Sequence, residues 1–327
     1  MRILHVTNFQ YDKDGRSFAN QDQKIQIGLV RNGHFTYSFP FNDIARARSC
    51  LNSKNWGSGK ANSSLIESCL NIQPNLLLLS HTQLINVETF AEIRRLLPNL
   101  KIAQWFVDSL EFERGYGYIF DRLPYLDAIF FTSAGIHIEK FNIHGCRSYF
   151  FPNIVEHNLE NMRAFNNTDF EYDVVFVGTD RKDQKRRDLL SALNRILSPC
   201  YRVGIFGSLG RPGVYGTDRD KVLSSSKIAL NLSRTSSIKW YSSDRISQLM
   251  GNGVLACTSR ESGLGELYGN DSLLFFDQID DLVEKIRLHL EDDSWRDIAK
   301  NGWEFVHKNH DAKSVTAKMI EQIFLDK

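Results

Sequence analysis

Residues 173–187 read DVVFVGTDRKDQKRR. The run Val174-Val175-Phe176-Val177 is apolar without alternation, which suits a strand buried on both faces of a parallel sheet. It stops at Gly178-Thr179, and a stretch of helical period follows near 185–197, so the segment reads as strand, turn and helix. Around the expected helix start stand five cations, Arg181, Lys182, Lys185, Arg186 and Arg187. Cations at a helix N-terminus oppose its dipole by about 0.3–1 kcal/mol each when exposed. Two readings fit them: a diphosphate bound among them at the turn, or a solvated helix start partly neutralised by Asp180 and Asp183.

Working outward, the same alternation recurs. Strands are expected after this one at 202–206, 227–232, 253–258 and 273–276, with helices near 243–251, 280–290, 294–307 and 311–325. Before it, strands are expected at 2–7, near 35–39, and at 75–80, 101–107, 127–132 and 148–151, with helices over 20–32, 86–97 and 135–142. Between Pro152 and Glu171 apolar density falls and no period holds, which reads as a linker. The fold class is therefore α/β, with an amino-terminal domain over 1–155, a carboxyl-terminal one over 172–310, and a last helix over 311–327 that packs back on the first domain. Two such domains of ordinary size are expected to face one another across a cleft, a preferred ligand site.

Composition limits the function. The chain has 327 residues, 42% of them apolar, and 40 Lys and Arg against 39 Asp and Glu. A formal net charge of +1 gives no global field toward nucleic acid or acidic lipid, so any anion site is local. Five dispersed cysteines with no CxxC pair argue against a disulfide framework or zinc ribbon. No run approaches a membrane span and no signal peptide is evident, so a cytoplasmic protein with at most peripheral membrane contact is expected. Asp12-Lys13-Asp14 and Asp218-Arg219-Asp220 follow no apolar strand, and His137, His144 and Cys146 match no metal spacing, so no metal and no cofactor is expected.

Further motifs carry a resemblance. Ser225-Ser226-Lys227-Ile228-Ala229-Leu230-Asn231-Leu232 is similar to an "SKIxLN" strand, Arg245 through Thr258 to an "RxxExxxxGxxxxT" turn, and Asn301-Gly302 with His307 and His310 to a closing "GxxxVxxxH" helix. In this order and spacing they resemble the donor-binding half of the GT-B glycosyltransferases, particularly the CgeB-like and YkvP-like group. The resemblance implies two Rossmann-like domains with parallel sheets facing an inter-domain cleft. It implies metal-independent transfer of a sugar from a nucleotide-sugar donor to a hydroxyl on a saccharide or glycolipid acceptor, in surface polysaccharide or glycoconjugate synthesis.

On that reading the donor site takes Gly178, Thr179, Arg181, Lys185 and Arg186 from the first turn, with Gly207 shaping a neighbouring loop. Tyr241, Asp244, Arg245 and Gln248 supply the second group, and Gly263, Leu264 and Glu266 a rim. Arg245 and the 181–187 cluster are the diphosphate ligands. The family's ribose-binding acid falls on Gln248, and Tyr241 stands where retaining relatives carry a second acid. Fixed cations stabilise the departing diphosphate without a metal. For an inverting reaction the candidate bases are Asp108 and His81, each after a strand, with Asp22 in the loop and helix region 17–24 and Asp43 after the strand at 35–39. A noncatalytic nucleotide-sugar-binding protein and a nucleotide-sugar epimerase are the alternatives.

Overall fold

The computed structural model describes residues 1–80, 82–181 and 183–324. Their contacts divide into two compact units, Met1–Pro152 with Ala312–Lys327, and Asn153–Asp311.

The first unit is built from β1 (Arg2–Thr7), α1 (Gln21–Arg31), β2 (Phe35–Pro40), α2 (Phe41–Ala47), α3 (Lys54–Ile72), β3 (Leu76–Leu79), α4 (Val87–Leu96), β4 (Lys101–Phe106), β5 (Ala128–Phe131), α5 (Ile136–Glu139) and β6 (Arg147–Phe150). Its six strands are parallel in the order β2-β1-β3-β4-β5-β6. The inner strands are the unbroken apolar runs of the sequence: all four leucines of β3 and all of Ala128–Phe131 are buried. Asn20 caps α1 by accepting from the Gln23 amide, one of the N-cap residues that favour a helix start.

The second unit contains β7 (Tyr172–Val177), α6 (Gln184–Leu197), β8 (Val203–Phe206), α7 (Gly216–Ser224), β9 (Ser226–Leu230), α8 (Arg245–Gly251), β10 (Leu255–Ser259), α9 (Leu264–Tyr268), β11 (Leu274–Phe276), α10 (Ile279–Glu291) and α11 (Trp295–Asn309). Its five parallel strands run β11-β10-β9-β7-β8. One face of the sheet is closed by Leu190, Leu193, Leu282, Ile286 and Trp295, the other by Ile246, Leu249, Met250 and Val306. The final helix, α12 (Ala312–Phe324), lies on α1 in the first unit, where Asn32 Nδ2 donates to the Lys313 carbonyl at 2.8 Å.

Two expectations need correcting. The stretch 152–171 is no free linker. Val155 donates to the His310 carbonyl at 3.0 Å, Ala164 to that of Asn252 at 3.0 Å, and Ile154, Val155 and Ala164 are fully buried. Backbone bonds and a few apolar anchors hold it to the second unit where no side-chain period announces them. The second correction is α3, nineteen residues of helix over KNWGSGKANSSLIESCLNI. Its buried face is Gly57, Ala61, Asn62, Leu65 and Cys69; small residues let it approach α2, and a helix packed on such a face shows little apolar period.

Candidate functional site

Each sheet grows first to one side of its opening strand and then to the other. In the second unit the reversal falls between β7 and β9, both neighbours in the sheet though β8 lies between them in sequence. In open parallel sheets the carboxyl ends of strands at such a reversal form a crevice that binds ligands. Here the crevice is bounded by Gly178-Thr179 after β7 and Asn231 to Arg234 after β9.

Arg245, the first residue of α8, spans the two strand ends. Its Nε donates to the Val177 carbonyl at 2.8 Å, and its Nη1 to the Leu232 carbonyl at 3.1 Å and to Ser243 Oγ at 3.3 Å. The guanidinium lies over the Phe176 ring, 4.9 Å from its centroid, a favourable cation–π position. Gly178 is glycine for a local reason: a Cβ there would overlap Nη2 of Arg245. Among the described residues that Nη2 donates to no acceptor. Burial first, and then the charge of Arg186, bring the Arg245 guanidinium down to about 10, so it stays cationic at neutral pH.

Arg186 stands behind this point. It is buried; Nη1 donates to the Thr179 carbonyl at 2.6 Å and Nη2 pairs with Asp183 at 3.3 Å. Its pKa is lowered by burial, a shift that Asp183 opposes and Arg234 reinforces. Arg234, Arg186 and Arg245 thus form a chain of mutually repelling guanidinium groups. Arg234 is exposed, and no carboxylate among the described residues pairs with it. Crowded like charges of this kind are relieved by an anion. Sequence reading missed Arg234; the available signal was a cation within a few residues of a strand's carboxyl end.

The loops are fixed from beneath. Asp183 caps α6 by accepting from the Arg186 amide at 3.0 Å. Gly207 has φ of +80°, and a Cβ there would come within 2.7 Å of the Gly178 carbonyl, so the turns after β7 and β8 touch. Ser208 Oγ donates to the same carbonyl at 2.8 Å. Asp180 accepts from the Leu209 amide at 3.1 Å and from Arg187 Nε at 3.0 Å, which lowers its pKa through both contacts. Thr179, Arg181 and Lys185 are exposed, and the Thr179 hydroxyl accepts from the Arg181 amide.

Beside Arg245 opens a hollow of about 240 Å³ lined by Val177, Arg219, Leu223, Asp244, Gln248 and Leu249. The Gln248 amide is committed at both ends: its oxygen accepts from Arg219 Nη1 at 3.1 Å and its nitrogen donates to Asp244 Oδ2 at 2.8 Å. Asp244 therefore presents the carboxylate in this hollow, and Gln248 links it to Arg219. Tyr241 is buried, and its phenol acts on both Arg186 and Arg245. Gly263 takes φ of +69° before α9, Leu264 is core, and Glu266 is an exposed partner of Lys239 at 2.7 Å.

The reversal in the first unit falls between β1 and β3. There the Ser80 hydroxyl donates to Thr7 Oγ1, and Thr7 Oγ1 donates to Asp22 Oδ1; all three residues are buried. Asp108 follows β4 and is exposed. His81 lies outside the described residues. Among the described residues no three His, Cys, Asp or Glu side chains are grouped to hold a metal ion, and no helix is long and apolar enough to cross a membrane.

A family model described as glycosyl transferase-like matches residues 181–321, less than half of the chain. Solved structures match almost end to end at low identity. Sucrose-phosphate synthase from Thermosynechococcus elongatus is 12% identical over 98% of each chain, with a TM-score of 0.69. Trehalose-6-phosphate synthase OtsA is 10% identical over the whole of each chain, with a TM-score of 0.66. HepE of Anabaena, solved with UDP and glucose, is 13% identical over 99% of each chain, with a TM-score of 0.57. No curated protein matches the sequence. The chain carries a glycosyltransferase domain and has the GT-B fold.

Proposed function

We propose that this protein transfers a sugar from a nucleoside diphosphate donor to a hydroxyl acceptor, with the donor's diphosphate at the carboxyl ends of β7 and β9. The observation that carries the reading is Arg245. Two strand-end carbonyls and Ser243 fix its guanidinium and leave Nη2 for a ligand. HepE, which shares the fold, was solved with UDP and glucose; a nucleoside diphosphate is the ligand this cationic crevice suits.

The chemistry follows from charge. As the bond from sugar to phosphate breaks, negative charge gathers on the departing diphosphate. Arg245 offers a donor that need not reorganise, Arg234 an exposed cation close by, and Arg186 adds positive potential from its buried position, which lowers the barrier without a metal. Asp244 is the group we assign to a donor hydroxyl, in place of the acid that resembling enzymes carry where Gln248 stands. For the acceptor hydroxyl we assign Asp22 as proton acceptor, oriented by Thr7. The strand and turn motifs at 225–232 and 245–258 favour the CgeB-like group, and a saccharide or glycolipid as acceptor.

The test is a thermal-shift screen with UDP-, GDP-, CMP- and dTDP-sugars, followed by a turnover assay on the donor that binds. A ligand of the folded state raises its stability by RT ln(1 + [L]/Kd). One donor is expected to stabilise the protein and to release nucleoside diphosphate when acceptor is added. Arg234→Ala, at an exposed position, is expected to lower kcat/KM about tenfold or more with the fold intact. Binding without turnover, or an isomerised free donor as product, contradicts the transferase reading.

A further inference from the structure

We infer that the α2–α3 corner of the first unit is a docking surface for an anionic lipid bilayer. The inference stands on this corner alone and is independent of the sugar-transfer reading.

Two observations converge there. Leu51 is 66% exposed and Trp56 76% exposed, large apolar groups within six residues of each other on the turn and first helical turn. Around them the charge has one sign. From residue 44 to residue 66 the sequence holds Arg46, Arg48, Lys54 and Lys60 and no Asp or Glu. Arg46 is neutralised by Asp12 at 3.2 Å and Asp43 at 2.9 Å. Arg48, Lys54 and Lys60 are exposed, and none pairs with a carboxylate among the described residues. In a chain of net charge +1, three unpaired cations beside two apolar anchors are a local feature.

The corner is also held in shape. Gly57 faces the Ala45 carbonyl so closely that any Cβ would overlap it, which locks α3 against α2 and turns neighbouring Trp56 outward. Asn52 adopts φ of +51° in the connecting turn. The first turn of α3 contains Lys54 and no acid, and Ser53 makes no side-chain cap bond. Free amide groups and a cation at a helix start suit a phosphate.

A bilayer fits this chemistry better than other occupants. Indole and leucine side chains partition into the boundary between headgroups and acyl chains, while lysine and arginine meet anionic headgroups. Duplex nucleic acid would use the cations and offer nothing to Leu51. No helix among the described residues is long and apolar enough to cross a membrane, and the contact proposed is with headgroups and the boundary beneath them.

The test is cosedimentation of the full chain with vesicles of phosphatidylcholine alone and of phosphatidylcholine mixed with phosphatidylglycerol. Binding is expected only to the mixed vesicles, weakening as salt rises. Lys54→Glu and Lys60→Glu are expected to lower affinity about fivefold each or more, and the double variant Leu51→Ser/Trp56→Ser at least about tenfold. Brominated lipid is expected to quench fluorescence of the wild type more than that of Trp56→Phe. These positions are exposed, and an unchanged circular dichroism spectrum separates lost docking from lost fold. Equal binding to both vesicles, no binding to either, or wild-type binding by the variants overturns the proposal. So does a concentration-dependent dimer that Trp56→Ser abolishes, because a second copy would then cover the corner.

Discussion

The two sheets reverse in the same way, yet their strand ends carry opposite chemistry. Between β1 and β3 the crevice holds two hydroxyls and a carboxylate, Ser80, Thr7 and Asp22. Between β7 and β9 it holds Arg245, with Arg186 and Arg234 close enough to be felt electrostatically. A parallel sheet supplies the location of a site, and side chains decide which sign of charge it accepts. The difference is why we propose the phosphate site in the second unit.

The largest expected effect separates fold from function. At Gly28 a Cβ would overlap the backbone carbonyl of Ala312, and backbone in the α1–α12 contact cannot retreat. Gly28→Ala is expected to destabilise the first unit by about 3 kcal/mol. At Gly178 the obstacle is the tip of the Arg245 side chain, which can shift only by loosening its bonds to the Val177 and Leu232 carbonyls. Gly178→Ala is expected to cost about 1 kcal/mol, less than Gly28→Ala, while weakening nucleotide binding. Urea unfolding of both variants, with nucleotide affinity measured alongside, checks the contrast; equal losses of stability would erase it.

A smaller effect tests where the units are alike. Burial lowers His5 in β1 and His310 after α11 to about 4. The unfolded chain binds these protons below about pH 6.5 and the folded chain only below about 4. Stability therefore rises with pH across that interval, and moving from pH 7 to 4.5 is expected to cost each unit about 2 kcal/mol. Asp173, held at about 2 chiefly by Arg202 and Lys227 against the upward pull of burial, behaves differently. It loses its contribution only as pH falls from the usual carboxylate value toward 2. Urea midpoints at the two pH values, for wild type and for His5→Gln and His310→Gln, are expected to show a flatter pH response in each variant.

Much of this was legible in the sequence, for physical reasons. Strands buried on both faces write themselves as short apolar runs, so VVFV before Gly178, LLLL before Ser80 and AIFF before Thr132 could be read directly. Arg245 was legible through its place before a helix and strand. Its role as a bridge was not, because the carbonyls of Val177 and Leu232 are backbone and have no signature. Arg234 was missed for want of a periodic neighbour. α3 was missed because contact through Gly57 and Ala61 needs no apolar stripe. Gln248 was visible as a departure, whereas its bonds to Arg219 and Asp244 depend on a partner from α7 that sequence distance hides.

Calorimetric titration of the nucleoside diphosphate of the donor that the thermal-shift screen identifies into wild type, Arg245→Gln and Asp22→Asn tests the central claim most directly. Glutamine can still donate to the Val177 carbonyl, and matching unfolding midpoints would confirm that the fold persists. The expected result is a loss of about 10- to 100-fold in affinity for Arg245→Gln and wild-type affinity for Asp22→Asn. Undiminished affinity in Arg245→Gln, or its loss in Asp22→Asn, would contradict the assignment of the diphosphate to the ends of β7 and β9.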